Sequence, residues 1–410
     1  MVRTFVFSGF LLTISACVHS LLAIWAMRVS PWLGARRRTV WAIVACLVVI
    51  TPAARMMQSA WHGSKSQQLF AAGMIEASVV AISMIPLFLI HIGLDLGVGL
   101  RKRWGKKAEA PDLPHPSPPA DLAPPNPGAL EFTRRQMIEG VGGATVLAGT
   151  GSALGWGIVR GRHAFEIEEV PVRIVGLPRA LDGYTIAQVS DIHVGLFVGD
   201  RELREGFERV LQTKPDLIVA TGDLVDHDEH YIAQMARALG SLGGHPRDGV
   251  TAILGNHDYY TGAQDVLAGL RAAGVRTLVN EGLVLRGRDQ GGFSLLGVAD
   301  MFAIGSREEP PSLERALAMV PPDRPRILLA HQPQYFPVAR GRVALQLSGH
   351  THGGQINPGF RPASLFMRYL AGRYEEQGST LWVNRGFGVA GPPSRVGAAP
   401  EVTKIILVSA

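Results

Sequence analysis

Five short segments, far apart in the chain, each place Asp, Asn or His just after an apolar, strand-like run. They are Asp191-Ile192-His193, Gly222-Asp223, Gly255-Asn256-His257-Asp258, His331 and Gly349-His350-Thr351-His352. Together they offer seven candidate metal ligands: Asp191, His193, Asp223, Asn256, His331, His350 and His352. One further imidazole, His257, is left over. Carboxylate, carboxamide and imidazole donors without thiolate suit Mn, Fe, Zn or Ni. Seven donors exceed what one ion takes and match two, so the implied chemistry is hydrolysis at a pair of divalent ions.

Such residues need a scaffold that brings distant loops together. From residue 165 onward, apolar strand-like runs alternate with helical ones. Tyr184 to Ser190, Leu217 to Ala220, Val250 to Leu254, Arg326 to Ala330 and Ala344 to Ser348 each end at one of the segments. Between them, 200–212, 230–242 and 261–273 carry helical periodicity. The pattern predicts an α/β domain with its site at strand ends, where open α/β sheets bind ligands.

The order D-x-H, GD, GNHD, H, GHTH resembles the calcineurin-like metallophosphoesterase family, over roughly residues 165 to 410. The tail resembles the membrane-associated or exported bacterial branch typified by YkuE and YaeI. There Gly353-Gly354-Gln355 is followed by Asn384-Arg385-Gly386-Phe387-Gly388, Pro393-Ser394-Arg395 and Pro400-Glu401, and Asp300 also fits. The resemblance implies two packed mixed β-sheets flanked by helices. It also implies ligand roles: Asp191, His193 and His352 for a first ion, Asn256, His331 and His350 for a second, and Asp223 between them. A bridging carboxylate offsets the repulsion of two cations about 3.5–4 Å apart and helps generate hydroxide near neutral pH. His257 follows a ligand directly, so it points elsewhere and is the candidate general acid towards the leaving oxygen. Asp258 beside it either fixes the His257 tautomer or caps the turn. Asp226, His227, Asp228 and His230 read as a solvated acidic loop, with one of them reaching substrate as the alternative, and Arg385 or Arg395 as a candidate phosphate contact.

Composition shifts sharply along the 410 residues. Residues 1–107 read as a helical membrane region of about three spans. The charge-free runs are 4–27, the shorter 39–54, and 77–94 within the apolar stretch 66–100. The run 39–54 equally suits a buried or interfacial helix. Glu76, His91 and Asp95 interrupt or flank the third stretch and suit the membrane interface. Residues 108–133 form a Pro-rich linker. Residues 134–163 hold Thr133-Arg134-Arg135-Gln136-Met137-Ile138 at their head and a Gly-rich apolar run at 140–159, resembling a twin-arginine signal-anchor without an evident cleavage site. Residues 164–410 form the catalytic domain. Lys and Arg cluster at Arg28 and Arg36–Arg38, and again at Arg101–Lys107 with Arg134 and Arg135. The positive-inside rule makes those connections cytoplasmic, which puts the catalytic domain outside a bacterial cytoplasmic membrane if 140–159 crosses, and inside if it does not.

The net charge of +6 is modest and lies beside the apolar runs, so no nucleic-acid partner is expected. The two cysteines, Cys17 and Cys46, lie in apolar runs, so no thiolate site or disulfide framework is available to the catalytic domain. The reading is a membrane-anchored phosphoesterase with two divalent ions, more suited to diesters, acting on a phosphoester or pyrophosphate that is lipid-linked. The competing reading is a membrane sensor or transporter with a metal-binding regulatory domain. Missing ligands or a missing His257 would mark that alternative, and none is missing.

Overall fold

The computed structural model describes residues 2–60, 64–105, 132–285 and 291–410. The Pro-rich stretch read as a linker falls almost entirely outside them. The chain forms two compact units, Met1–Ala153 and Leu154–Ala410.

In the first unit, long apolar runs become helices: α1 (Val2–Val29), α3 (Arg37–Ala60) and α4 (Ser64–Gly105), with the single turn α2 (Pro31–Ala35) between the first two. Both α3 and α4 continue past an internal proline, Pro52 and Pro86 respectively. Ser30 caps α2 by accepting from the Leu33 N–H at 3.4 Å, ahead of Pro31. Among the described residues, three segments are long and apolar enough to cross a membrane: Leu11–Val29, Arg37–Ala54 and Gln67–Leu100. The Gly-rich α5 (Arg134–Val159) begins in this unit and is not among them. Several ionisable groups on these helices are paired, which offsets the cost of burying them. Buried His19 meets Glu76 through Nε2 at 2.9 Å. Glu139, 2% exposed, takes Arg135 Nε at 2.7 Å and His91 Nδ1 at 3.3 Å, while Arg135 Nη2 reaches Asp95 at 2.7 Å. The second arginine of the Arg134-Arg135 pair is thus engaged in joining α5 to α4.

The second unit contains two mixed six-stranded sheets flanked by helices. The first has the order β1 (Glu166–Ile174), β12 (Glu401–Ser409), β2 (Thr185–Val189), β3 (Leu217–Thr221), β4 (Val250–Ile253) and β5 (Arg276–Thr277). The second has the order β10 (Gly372–Glu376), β11 (Ser379–Val383), β9 (Leu345–Ser348), β8 (Arg326–Leu329), β7 (Phe293–Gly297) and β6 (Glu281–Leu285). Neighbours β2, β3, β4 and β5 are parallel, as are β7, β8, β9 and β11. These strands read as unbroken apolar runs because both faces are covered. The face between the sheets buries Ile186, Val219 and Ile253 against Leu295, Ile327 and Leu347. The outer face of the first sheet is covered by α6 (Asp200–Gln212), α7 (Ile232–Ser241), the short α8 (Asn256–Thr261) and α9 (Ala263–Ala272), through Val210, Leu239, Tyr259 and Leu270. α10 (Leu313–Ala318) and α11 (Phe336–Ala339) lie on the second sheet.

A buried polar junction ties the sheets together. The carboxylate of Glu401, 1% exposed, accepts from Trp382 Nε1 at 3.2 Å, Asn384 Nδ2 at 3.2 Å and Arg385 Nε at 2.7 Å. Removing it leaves Trp382, Asn384 and Arg385 without their charged acceptor, so Glu401→Ala is expected to cost about 3 kcal/mol. A thermal or denaturant melt of the detergent-solubilised chain checks this, and an unchanged midpoint would contradict it.

Candidate metal centre

All five sequence segments emerge at the carboxyl ends of parallel strands and meet. Asp191 and His193 follow β2, Asp223 follows β3, Asn256 follows β4, His331 follows β8, and His350 and His352 follow β9. The β2 and β3 extensions run side by side, with the His193 N–H donating to the Asp223 carbonyl at 3.0 Å and Val194 bridging Val225. Asp191, His193, Asp223, His350 and His352 all have φ between 50° and 72°, the left-handed region that L-residues rarely occupy. That conformation turns alternate side chains of each loop into one space. Gly349 permits the approach of the β9 loop, since a Cβ there would strike Ser190 Oγ and Asp191 Oδ2.

Two triads result. Asp191, His193 and His352 converge, as do Asp223, His331 and His350. His193 Nε2 and His352 Nε2 stand 3.1 Å apart, and His352 Nε2 stands 3.5 Å from Asp191 Oδ1. Asp223 Oδ2 lies 3.2 Å from His331 Nε2 and 3.6 Å from His193 Nε2, between the triads. Such separations match the edges of a coordination shell with bonds of about 2.1 Å. The donor chemistry also fits. Buried Asn256 Oδ1, His331 Nε2 and His350 Nδ1 have no hydrogen-bond partner in the protein, a costly arrangement unless a cation satisfies them. His331 donates its Nδ1 proton to the Thr221 carbonyl at 2.8 Å, leaving the Nε2 lone pair for the centre. Burial pushes the pKa of His350 down to about 4 and that of His352 well below its usual range, keeping both neutral as ligation requires. The carboxylates are held by neighbouring loops: Asp191 accepts the His350 N–H at 2.9 Å, and Asp223 accepts the His257 N–H at 2.8 Å.

His257 lies beside the triads, with its ring centroid 4.5 Å from that of His193. Its partner is Asp226 rather than Asp258: Nδ1 stands 3.2 Å from Asp226 Oδ1. Burial opposes protonation of His257, yet the Asp226 bond and the charges of Asp223, Asp226 and Asp258 raise its pKa. Burial likewise opposes the Asp226 carboxylate, but the neighbouring imidazoles of His193, His257 and His227 hold it well below the usual range. Asp226 is therefore a site residue that the sequence reading placed in a solvated loop. Its signal is the spacing Asp223-x-x-Asp226, which follows the loop back under His257.

Asp258 does not reach His257 and instead caps two ligand loops at once. Its Oδ2 accepts the Gly255 N–H at 2.8 Å, and its Oδ1 accepts Leu224 and Val225 N–H at 2.9 and 3.1 Å. Burial and the nearby Asp223 charge push its pKa up to about 7. The two arginines are also structural. Arg385 pairs with Glu401, Glu166 and Glu168. Arg395 is fully buried, donating to the carbonyls of Gly388, Arg385 and Ala398, with Nη2 3.2 Å from His352 Nδ1. Asp300, 1% exposed, caps the turn after β7 by accepting from the Phe302 N–H at 2.7 Å, and also accepts from Gln332 Nε2 at 2.9 Å.

Two sheets with two groups of candidate metal ligands side by side at their strand ends fit the architecture of two-metal phosphoester hydrolases. The calcineurin-like phosphoesterase pattern matches residues 184–354. The chain is 30% identical over 291 residues to the Bacillus subtilis metallophosphoesterase YkuE, a match spanning 68% of this chain and 99% of YkuE. It is 33% identical over 264 residues to the Danio rerio transmembrane protein with metallophosphoesterase domain, spanning 62% of this chain and 60% of that protein. It therefore belongs to the calcineurin-like metallophosphoesterase family. Among solved structures, Haemophilus influenzae NAD nucleotidase aligns with a TM-score of 0.34 and 15% identity, over 50% of this chain and 45% of that one.

Gly349→Ala is expected to displace Asp191 and weaken metal binding about 10–100-fold, in the range seen when support for a ligand is lost. Calorimetric metal titration of the stripped protein tests it, and wild-type affinity would show that the Gly349 contact does not position Asp191.

Proposed function

We propose that this chain is a membrane-associated, binuclear metal-dependent phosphodiesterase of the bacterial cytoplasmic membrane. The supporting observation is the position of Asp223 beside both His331 and His193, with Asn256 Oδ1, His331 Nε2 and His350 Nδ1 buried and without a hydrogen-bond partner in the protein. Asp191, His193 and His352 would hold one ion, Asn256, His331 and His350 the other, and Asp223 both. Two divalent ions there supply Lewis-acid activation of water and neutralise phosphoryl charge.

The remaining work falls to the chain. His257 keeps Nδ1 on Asp226 and so presents Nε2 as the proton donor for the leaving oxygen. Asp226 raises the basicity of that imidazole and holds its ring. Asp258 keeps the Asp223 and Asn256 loops in register. Tyr260 stacks on His227 at 5.6 Å and meets Phe302 edge-on at 4.6 Å, giving an aromatic wall beside His257 for the organic part of a substrate. Such a wall favours a diester with a bulky second arm. The apolar helices support attachment to a membrane and a lipid-linked substrate, and an extracytoplasmic catalytic domain requires α5 to serve as a further crossing.

The test uses the full chain in detergent, stripped of metal and reloaded with Mn²⁺. An aryl phosphodiester is expected to turn over faster than the monoester. His257→Ala is expected to lose about 10²–10⁴-fold with metal content unchanged. No turnover of either ester under any divalent metal would overturn the reading and favour a sensor.

The Asp226 contact gives a pH test. Removing a carboxylate that raises the His257 pKa lowers that pKa. In Asp226→Asn the alkaline limb of kcat/KM is therefore expected to move to lower pH, since the acid form is lost sooner. A pH–rate profile with its alkaline limb unmoved would show that Asp226 does not govern His257.

A further inference from the structure

One loop of the hydrolase unit carries its apolar residues outward. Between Gly359 and Arg368, Phe360, Leu365 and Phe366 are 63%, 75% and 88% exposed, and Phe366 is the most exposed large apolar side chain among the described residues. Isolated exposed apolar groups are ordinary on protein surfaces, but three large ones within one short loop mark an interaction surface.

The loop is tied at both ends to the segment that carries His350 and His352. On the near side Asn357 Nδ2 donates to the Gly353 carbonyl at 2.9 Å, and on the far side Thr351 Oγ1 donates to the Leu370 carbonyl at 2.6 Å. The apolar edge is therefore a fixed neighbour of the metal centre. The end of α5 joins the same region. Ser394 Oγ donates to the Leu154 carbonyl at 2.9 Å, the Arg395 N–H reaches the Gly157 carbonyl at 3.3 Å, and Val396 bridges Ile356 at the root of the loop. On that last stretch of α5, Trp156 and Val159 are also exposed.

Three arginines lie beside these groups. Arg160 follows Val159, and Arg361 and Arg368 lie within the loop, all three exposed. Arg368 is paired with Glu376 at 2.8 Å and lies over the Tyr369 ring. Aromatic and aliphatic side chains with arginines at their edge form the composition that settles in the headgroup layer of a bilayer. A protein partner would equally accept the apolar groups, but the arginines at their edge and the membrane-spanning length of the chain's apolar helices favour a phospholipid surface.

We propose that loop 359–368 docks into the surface of the membrane to which this chain is attached. Phe360, Leu365 and Phe366 enter the interfacial layer, and Arg361 faces lipid phosphates. A phosphoester held at that surface then meets the metal centre from the lipid side. This inference rests on the membrane-associated phosphoesterase reading.

The experiment uses the full chain with Cys17→Ala and Cys46→Ala, labelled with an environment-sensitive fluorophore at Phe366→Cys, at Leu365→Cys or at the control position Glu208→Cys. Each is reconstituted in phosphatidylcholine vesicles with and without phosphatidylglycerol, some carrying brominated acyl chains. Bromolipid is expected to quench the 365 and 366 probes by about twofold or more over the 208 probe, since the apolar face of a docked segment sits at the acyl boundary. The effect is expected to be larger with anionic lipid and to lose that increment in Arg361→Gln. Quenching at 365 and 366 equal to that at 208, in proteins that still hydrolyse a soluble aryl diester, overturns the docking alone. Absence of hydrolysis in every protein, unlabelled included, overturns the enzymatic reading and leaves the quenching result to decide the docking.

Discussion

The catalytic unit is organised around a repulsive problem: lone-pair donors must be held face to face before any cation joins them. Asp223 and His331 approach within 3.2 Å, and His193 and His352 within 3.1 Å. Only a rigid frame sustains this, because buried acceptors without donors cost on the order of 1–3 kcal/mol each. The frame comes from backbone N–H groups that cross between loops. His350 holds Asp191, His257 holds Asp223, and Gly255, Leu224 and Val225 hold Asp258. Each loop positions the ligand of another, so none of the positions is set by its own strand alone. The left-handed turns at Asp191, His193, Asp223, His350 and His352 follow from the same demand, and such strain persists only where surrounding structure over-determines it.

Behind the donors stands a layer of buried charge. Arg395 has its guanidinium surrounded by carbonyls, and Glu401 collects donors from Trp382 of β11 and from Asn384 and Arg385 just after it. Burial pulls Arg395 down to about 10, which leaves it a cation at neutral pH. Arginines that look like phosphate clamps in sequence are here spent on holding the loops after β11 and before β12. A guanidinium pays for burial only when its donors are filled, and here carbonyls fill them before any substrate arrives.

The strands that end in ligands were legible because parallel strands buried on both faces give unbroken apolar runs, and β2, β3, β4, β8 and β9 match the expected runs to within about a residue. The helices α6, α7 and α9 were legible from their periodicity. Pairing was not. Glu401 to Ser409 is visibly apolar, but nothing local says that it lies parallel to β1 and antiparallel to β2. Asp226 was hidden for a related reason. A run of Asp and His in a loop reads as solvated until His257, thirty-one positions later, is brought against it. Asp258 had two readings in sequence, and the deciding fact is its place in the first turn of α8, where a carboxylate meets backbone N–H groups more readily than a neighbouring imidazole.

The position of β12 has a consequence for biosynthesis. It lies between β1 and β2, yet it leaves the ribosome after every other strand described here. Until it arrives, β1 has no neighbour in its sheet and the edge of β2 stands open. Glu401, the acceptor for Arg385 and Asn384, arrives with it. The nascent domain can therefore carry all seven ligand candidates while lacking the strand that closes its sheet, an arrangement of high contact order that folds slowly and exposes unpaired edges meanwhile. Completion of the centre is thus a late event in the life of the chain, gated by its final strand rather than by the synthesis of its ligands.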